Sequence, residues 1–217
     1  IGGNRVGTGY FRNVGNTQRM GTELGLNGKL GNKLSWYGNY SYVRATFETS
    51  QNISSAGHSS NPFECDGAIA GATANDKDAC ESSEGYQIGV GPGDAIPGLS
   101  PHVTRIGIGY APTESFSMAL DTEYNSNQFY RGDENNHHGQ KVPGYFLLNA
   151  SAEFKLPLKA NTPFSTVFFL DGRNLLDTNF ETGGIVAENE VEGTGGSGTF
   201  VTPGQPLSIM GGMHIRW

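Results

Sequence analysis

The sequence predicts an all-β fold, the wall of an antiparallel transmembrane β-barrel with about seven strands. Most of the 217 residues fall into stretches in which apolar and polar side chains alternate, as in strands with one apolar face. The connections between these stretches alternate between short and long. Outer-membrane barrels show this asymmetry because they pair short periplasmic turns with long extracellular loops, whereas soluble β-sandwiches do not require it.

The composition and charge are consistent with a β fold and exclude several classes of protein. Glycine supplies 33 positions, and charged residues make up only 16% of the chain. The longest unbroken apolar runs have four residues, which excludes a membrane-spanning helix of about 20 apolar residues. The net charge is -7 and there is no run of Lys or Arg, which argues against a nucleic-acid partner.

Seven strands are predicted, and the alternation is clearest in the fourth. In chain order they are Thr22–Leu30, Leu34–Tyr42, Arg105–Tyr110, Phe116–Asn125, Phe146–Leu156, Phe164–Asn174 and Leu207–Trp217. The long connections cover residues 49–99, 131–142 and 177–202, and all of them fall at the same edge of the sheet. No stretch predicts a helix.

Three of the strands fit the alternation less well: the second, the third and the sixth. After Tyr42 the apolar residues of the second strand change parity, at Val43, Ala45 and Phe47. A β-bulge, or departure of the strand from the apolar layer, would explain the change. The sixth strand is the weakest, because Asp171 lies on the same side as two apolar residues.

The alternation assigns side chains either to lipid or to a wet interior. The residues expected to face the membrane are Trp36, Tyr40, Phe116, Met118, Leu120, Tyr124, Phe154 and Trp217. The residues expected to form a hydrated ionic lining of the lumen are Asp121, Glu123, Glu153, Lys155, Asp171, Arg173 and Arg216. His102 and His214 are also expected to face water in the lumen.

The two cysteines are expected to form a disulfide in a long outer loop. Cys65 and Cys80 lie in a polar stretch with no Cys or His at metal-ligand spacing, and a disulfide implies an oxidising compartment.

The chain has no nucleophile elbow, no His-Glu-X-X-His motif and no Cys-X-X-Cys pair. The sequence therefore predicts no catalytic residue, no metal site and no bound cofactor.

Five segments resemble, in their order and spacing, the C-terminal portion of a TonB-dependent outer-membrane receptor. The segments are Asn13–Leu24, Leu34–Tyr42, Gly93–Gly98 with His102 shortly after, Arg131–Glu134 followed by Pro143–Tyr145 and Asn149, and Asn174–Asp177 before the terminal strand. Trp217 keeps an aromatic residue at the position where the family commonly ends in Phe.

This resemblance implies a barrel of about 22 strands with a plug in its lumen. Such a receptor lies in the bacterial outer membrane, is energised through the TonB protein, and imports ferric siderophores, haem, vitamin B12 or saccharides. Residues 1–217 would form the C-terminal part of the barrel, without a plug domain. The expected partners are the lipid bilayer, the rest of the barrel and plug, TonB through the missing N-terminal part, and a small-molecule ligand, with a ferric siderophore favoured.

Two other classes of protein stay open on the sequence alone. A passive porin would share the alternation but would need neither a plug nor an energy-transducing partner. A secreted, soluble β-sandwich that serves as a binding module would fit the disulfide and the glycine content. The β-sandwich predicts that the face carrying Leu120 packs against a second sheet.

Overall fold

The computed structural model describes residues 15–54, 87–158, 164–188 and 197–216, and all regular structure there is β. No helix in these ranges is long and apolar enough to cross a membrane. The strands are β1 (Thr17–Leu30), β2 (Leu34–Phe47), β3 (Gln51–Ser54), β4 (Gln87–Val90), β5 (His102–Thr113), β6 (Phe116–Asn125), β7 (Gln128–Phe129), β8 (Lys141–Val142), β9 (Tyr145–Lys155), β10 (Ser165–Arg173), β11 (Glu181–Glu188), β12 (Ser197–Pro203) and β13 (Ser208–Arg216).

Seven of these strands form one antiparallel main sheet, in the order β1-β2-β5-β6-β9-β10-β13. The predicted all-β fold with seven strands in an antiparallel sheet is therefore confirmed. The other six strands form three two-stranded sheets, which the sequence reading assigned to loops. Within the described residues the main sheet is not closed, since β1 and β13 each pair with a single neighbour.

One apolar face runs across all seven strands of the main sheet. Residues directly opposite each other on antiparallel strands point to the same side, so the register defines the faces. One row crosses the whole sheet in register and contains only apolar residues and glycine: Gly28, Trp36, Ile108, Leu120, Ala150, Gly172 and Ile209. Leu120 is 52% exposed and Ile209 68% exposed, so no other part of the described structure covers this face.

The change of parity in β2 is not caused by a β-bulge. The β1–β2 register runs without a shift from the pair Thr17–Phe47 to the pair Leu30–Leu34. Phe47 is buried and packs against Ile88 and Val90 of the β3–β4 hairpin. The end of β2 thus leaves the apolar layer and enters a small core, so the second of the two explanations is the correct one.

The three small hairpins lie at the end of the main sheet where the long connections are, and we call them the outer hairpins. Backbone hydrogen bonds join the β7–β8 hairpin to the segment after β4 and to the β11–β12 hairpin. The Gly98 N–H donates to the Phe129 carbonyl at 3.0 Å, and the Arg131 N–H donates to the Gly184 carbonyl at 3.0 Å. A second small core contains Tyr130, Val142 and Val186. The outer hairpins are therefore held by two small cores of their own.

Asn174 closes the turn that follows β10. The residue is 2% exposed and adopts a left-handed backbone with φ of 50°. Its Nδ2 donates to the carbonyls of Thr178 and Gln205, at 2.9 and 3.0 Å, and its Oδ1 accepts from the Thr178 N–H at 2.9 Å. Its own N–H donates to Asn149 Oδ1 at 2.9 Å. The Asn174 side chain thus links the segment before β11 to the segment after β12.

We expect Asn174→Ala to destabilise the fold by roughly 2 kcal/mol or more, since each buried polar group left unpaired costs about 1–3 kcal/mol. Urea-dependent unfolding of the full-length gene product in detergent measures the loss. Asn174→Gly tolerates the positive φ but also lacks the amide, so it should recover only part of the stability. Asn32→Ala, in an exposed short turn, is the matched control. An Asn174→Ala variant as stable as wild type would contradict the assignment.

We expect Phe47→Ala to open the β3–β4 hairpin locally, because large-to-small changes of a buried Phe cost about 3–5 kcal/mol. Hydrogen exchange of the Ile88 and Val90 amides measures the opening. Phe168→Ala removes a ring of the same size that is 44% exposed on the main sheet, so it should leave these amides protected. Equal exchange rates in the two variants would show that Phe47 does not hold the hairpin.

Candidate functional site

The face opposite the apolar face is polar, and all seven charged residues predicted to line a lumen lie on it. Register pairs such as Asp121–Asn149, Ser151–Asp171 and Ser165–Arg216 define this polar face. The residues are Asp121, Glu123, Glu153, Lys155, Asp171, Arg173 and Arg216. The register places these residues on one face, whereas their contact with a lumen stays a prediction.

A hydrogen bond crosses a whole strand at the centre of the polar face. Tyr37 of β2 and Asp121 of β6 lie on either side of Gly107 of β5, in one register row. The Tyr37 hydroxyl donates to Asp121 Oδ1 at 2.5 Å. A Cβ on Gly107 would overlap the Tyr37 ring and lie 2.6 Å from Asp121 Oδ1. The glycine therefore provides the space in which the tyrosine reaches across β5.

An ion pair lies two residues further along β5 and β6. Arg105 Nη2 is 3.3 Å from Glu123 Oε2, and Asn125 Nδ2 donates to Glu123 Oε1 at 2.8 Å. The Arg105 side chain is 58% exposed, so water screens the pair and its contribution to stability is small. The two contacts together hold the Glu123 carboxylate in one place.

These groups line a groove of about 370 Å³ that also contains Asp171 and Arg173. The groove carries both signs of charge, since Asp121, Glu123 and Asp171 line it together with Arg105 and Arg173. A surface of this kind favours contact with water or polar groups over apolar side chains, because charged groups are costly to bury without polar partners. Of the predicted set, the remaining three residues lie outside the groove: Glu153, Lys155 and Arg216.

Sequence reasoning missed Tyr37 and misplaced His102. Tyr37 was not among the residues assigned to the lumen, yet its parity opposes that of Trp36 and places it on the polar face. His102 pairs with Tyr42 and accordingly lies on the apolar face, so the prediction that it faces the lumen is wrong. His214 does lie on the polar face, where its ring stacks on Phe169 at 4.9 Å.

The β7–β8 and β11–β12 hairpins, together with Gly98, line a second, open cavity of about 440 Å³. Arg131 is positioned there by two backbone hydrogen bonds, to the Gly184 carbonyl at 3.0 Å and from the Val186 N–H at 2.7 Å. The walls include Ile185, which is 45% exposed, and Phe200, which is 48% exposed. A cation beside exposed apolar surface suits an anionic ligand that also has an apolar part.

The core beneath this cavity contains Tyr130, which is 5% exposed. Burial, and secondly the carboxylate of Glu181, raise the pKa of the Tyr130 hydroxyl above its usual value. The hydroxyl therefore stays neutral near neutral pH, and the small core with Val142 and Val186 carries no tyrosinate charge.

Some predicted sites lie outside the described residues. Cys65, Cys80 and Trp217 are among them, so the disulfide and the terminal aromatic stay predictions. Within the described ranges, no group of three or more His, Cys, Asp or Glu side chains could hold a metal ion.

Comparison with solved structures identifies the fold. The siderophore receptor PiuA from Acinetobacter baumannii matches 94% of this chain at 15% identity with a TM-score of 0.60. The ferric citrate transporter FecA in its unliganded form matches 92% at 17% identity with a TM-score of 0.56, and the ferric yersiniabactin uptake receptor FyuA from Yersinia pestis matches 92% at 15% identity with a TM-score of 0.54. The match spans 22%, 24% and 23% of those chains, respectively.

A family model describes most of the sequence. The model of the TonB dependent receptor-like β-barrel matches residues 1–175. No curated protein matches the chain. The members of this family are receptors and transporters rather than enzymes, which confirms the prediction of a non-enzymatic protein. The chain belongs to the TonB-dependent receptor β-barrel family.

Proposed function

We propose that this chain is part of an energy-coupled importer in the bacterial outer membrane, with ferric siderophores or another scarce nutrient as its cargo. The observation that carries the proposal is the exposed apolar face of the main sheet, together with a polar opposite face that contains an ionic groove. The printed names of PiuA, FecA and FyuA refer to a siderophore, ferric citrate and ferric yersiniabactin, and these names support an iron complex as cargo.

The apolar face has the chemistry and the height of a lipid-facing surface. Its members include the predicted membrane-facing residues Trp36, Tyr40, Phe116, Met118, Leu120, Tyr124 and Phe154. Phe116 and Tyr124 are eight residues apart on β6, which is roughly 26 Å along a strand. At a tilt of about 40° this corresponds to roughly 20 Å of membrane depth, close to the apolar band of such barrels.

A soluble β-sandwich would require a second sheet over the same face. Within the described residues nothing covers it, and Leu26, Ile106 and Leu170 are each at least half exposed, at 54%, 50% and 54%. In water, so much contiguous apolar surface would drive association. This exposed apolar surface is therefore suited to contact with lipid chains.

Cargo would be captured at the outer hairpins and would pass along the polar face. The cavity at Arg131 and Phe200 offers a cation and an apolar wall to an anionic iron complex. In the importer, a plug would rest against the ionic groove that contains Asp121 and Arg105, and TonB would supply the energy for its movement. Plug and TonB are partners of the proposed whole receptor.

We expect Leu120→Arg to destabilise the full-length gene product in a bilayer by about 2–4 kcal/mol, because it places a charge against lipid chains. Ala119→Arg is the matched control, since it adds the same side chain one residue away on the polar face. Urea-dependent folding into phosphatidylcholine vesicles measures both variants. Equal destabilisation of the two variants would rule out lipid contact for the Leu120 face.

We expect cells that lack this gene to lose uptake of at least one complex from a panel of ferric catecholates and ferric carboxylates. Uptake of radioactive iron under iron limitation measures the loss. A host without TonB should lose uptake of the same complex, because active import requires the energy-transducing partner. Uptake that persists without TonB would instead support a passive porin.

A further inference from the structure

The apolar face of the main sheet carries two side chains that can hold a positive charge, among the residues that the structure describes. They are Arg44 of β2 and His102 of β5. On that face, the described strands carry no carboxylate, since every Asp and Glu of the seven strands has the opposite parity. Both residues lie at the outer end of the sheet, on adjacent strands.

His102 is held in place by two tyrosines. Its Nδ1 is 2.9 Å from the Tyr40 hydroxyl, and its ring lies 5.0 Å from the ring of Tyr42, which is its register partner. When the Tyr40 hydroxyl donates to Nδ1, the hydrogen of the imidazole resides on Nε2, which can donate to a further partner. The histidine is exposed, so that partner can come from outside the protein.

Arg44 is placed to reach the same partner. It lies two residues beyond Tyr42 on β2, so the Cα atoms of Arg44 and His102 are roughly 8 Å apart by strand geometry. Its side chain is exposed and forms no ion pair within the described residues. A guanidinium at this position can extend along the surface from the aromatic girdle to the level of lipid headgroups.

We propose that Arg44 and His102 bind the phosphate of an anionic lipid in the outer leaflet, with Tyr40 and Tyr42 packed against the adjoining part of that lipid. The inference rests on the proposed function, which places lipid against this face. A guanidinium binds phosphate through two parallel N–H bonds, and the imidazole Nε2–H adds a third donor. The charge on this face favours a phosphate, because the described apolar face has no acidic group to repel it.

The test measures which lipids remain bound to the full-length gene product. The protein is equilibrated in detergent with equal amounts of dimyristoylphosphatidylglycerol and dimyristoylphosphatidylcholine, and native mass spectrometry counts the lipids retained. Wild type should retain phosphatidylglycerol preferentially. Arg44→Gln should lower that preference about fivefold, and the double variant with His102→Gln should lower it further.

Arg19→Gln is the matched control, because Arg19 lies near the same end of the sheet but on the polar face, opposite Ala45. It should keep the wild-type preference. Excess inorganic phosphate should leave the retained phosphatidylglycerol in place, and displacement by it would overturn the lipid assignment. An unchanged preference in the double variant, or an equal loss in Arg19→Gln, would also overturn the inference. Failure of wild type to fold into vesicles would count against the proposed function itself.

Discussion

The main sheet depends on one constraint, the register between neighbouring antiparallel strands. Because side chains alternate sides along a strand, a slip of one residue would exchange the two faces of that strand. The β1–β2 pairing keeps its register over its full length, and the β6–β9 pairing does so from Phe116 to Asn125. The register shift in the main sheet lies between Tyr110 and Thr113, next to a short turn. The two faces therefore stay separate from one edge to the other.

The polar face uses that constraint to build contacts between strands that are not neighbours. Tyr37 reaches Asp121 because glycine occupies the position between them on β5. Any side chain at Gly107 would fill the space that the tyrosine ring needs. The high glycine content of the chain thus has a local use here, since a flat patch of backbone lets long side chains lie across the sheet.

Apolar side chains change from exposed to buried where the strands end at the outer side. Phe47, Ile88 and Val90 are buried, whereas the apolar residues of the main sheet are exposed. In the proposed membrane orientation, the apolar side chains at this end lie above the lipid and must find protein partners, because water surrounds them there. The small cores of the outer hairpins meet this need, and they hold the cavity around Arg131 in a defined shape.

The sequence by itself determined the β class, the seven strands of the main sheet and the shared face of the seven charged residues assigned to the lumen, because alternation is a local property of two-residue period. It did not determine the outer hairpins, whose pairs β3–β4 and β7–β8 are too short to show a period. It also misplaced His102 and did not assign Tyr37 to the polar lining, since a polar or amphipathic residue near a strand end gives only a weak signal of the face it occupies. Only the tertiary register decided those positions, because the face of a residue is fixed by the neighbour it pairs with across the sheet.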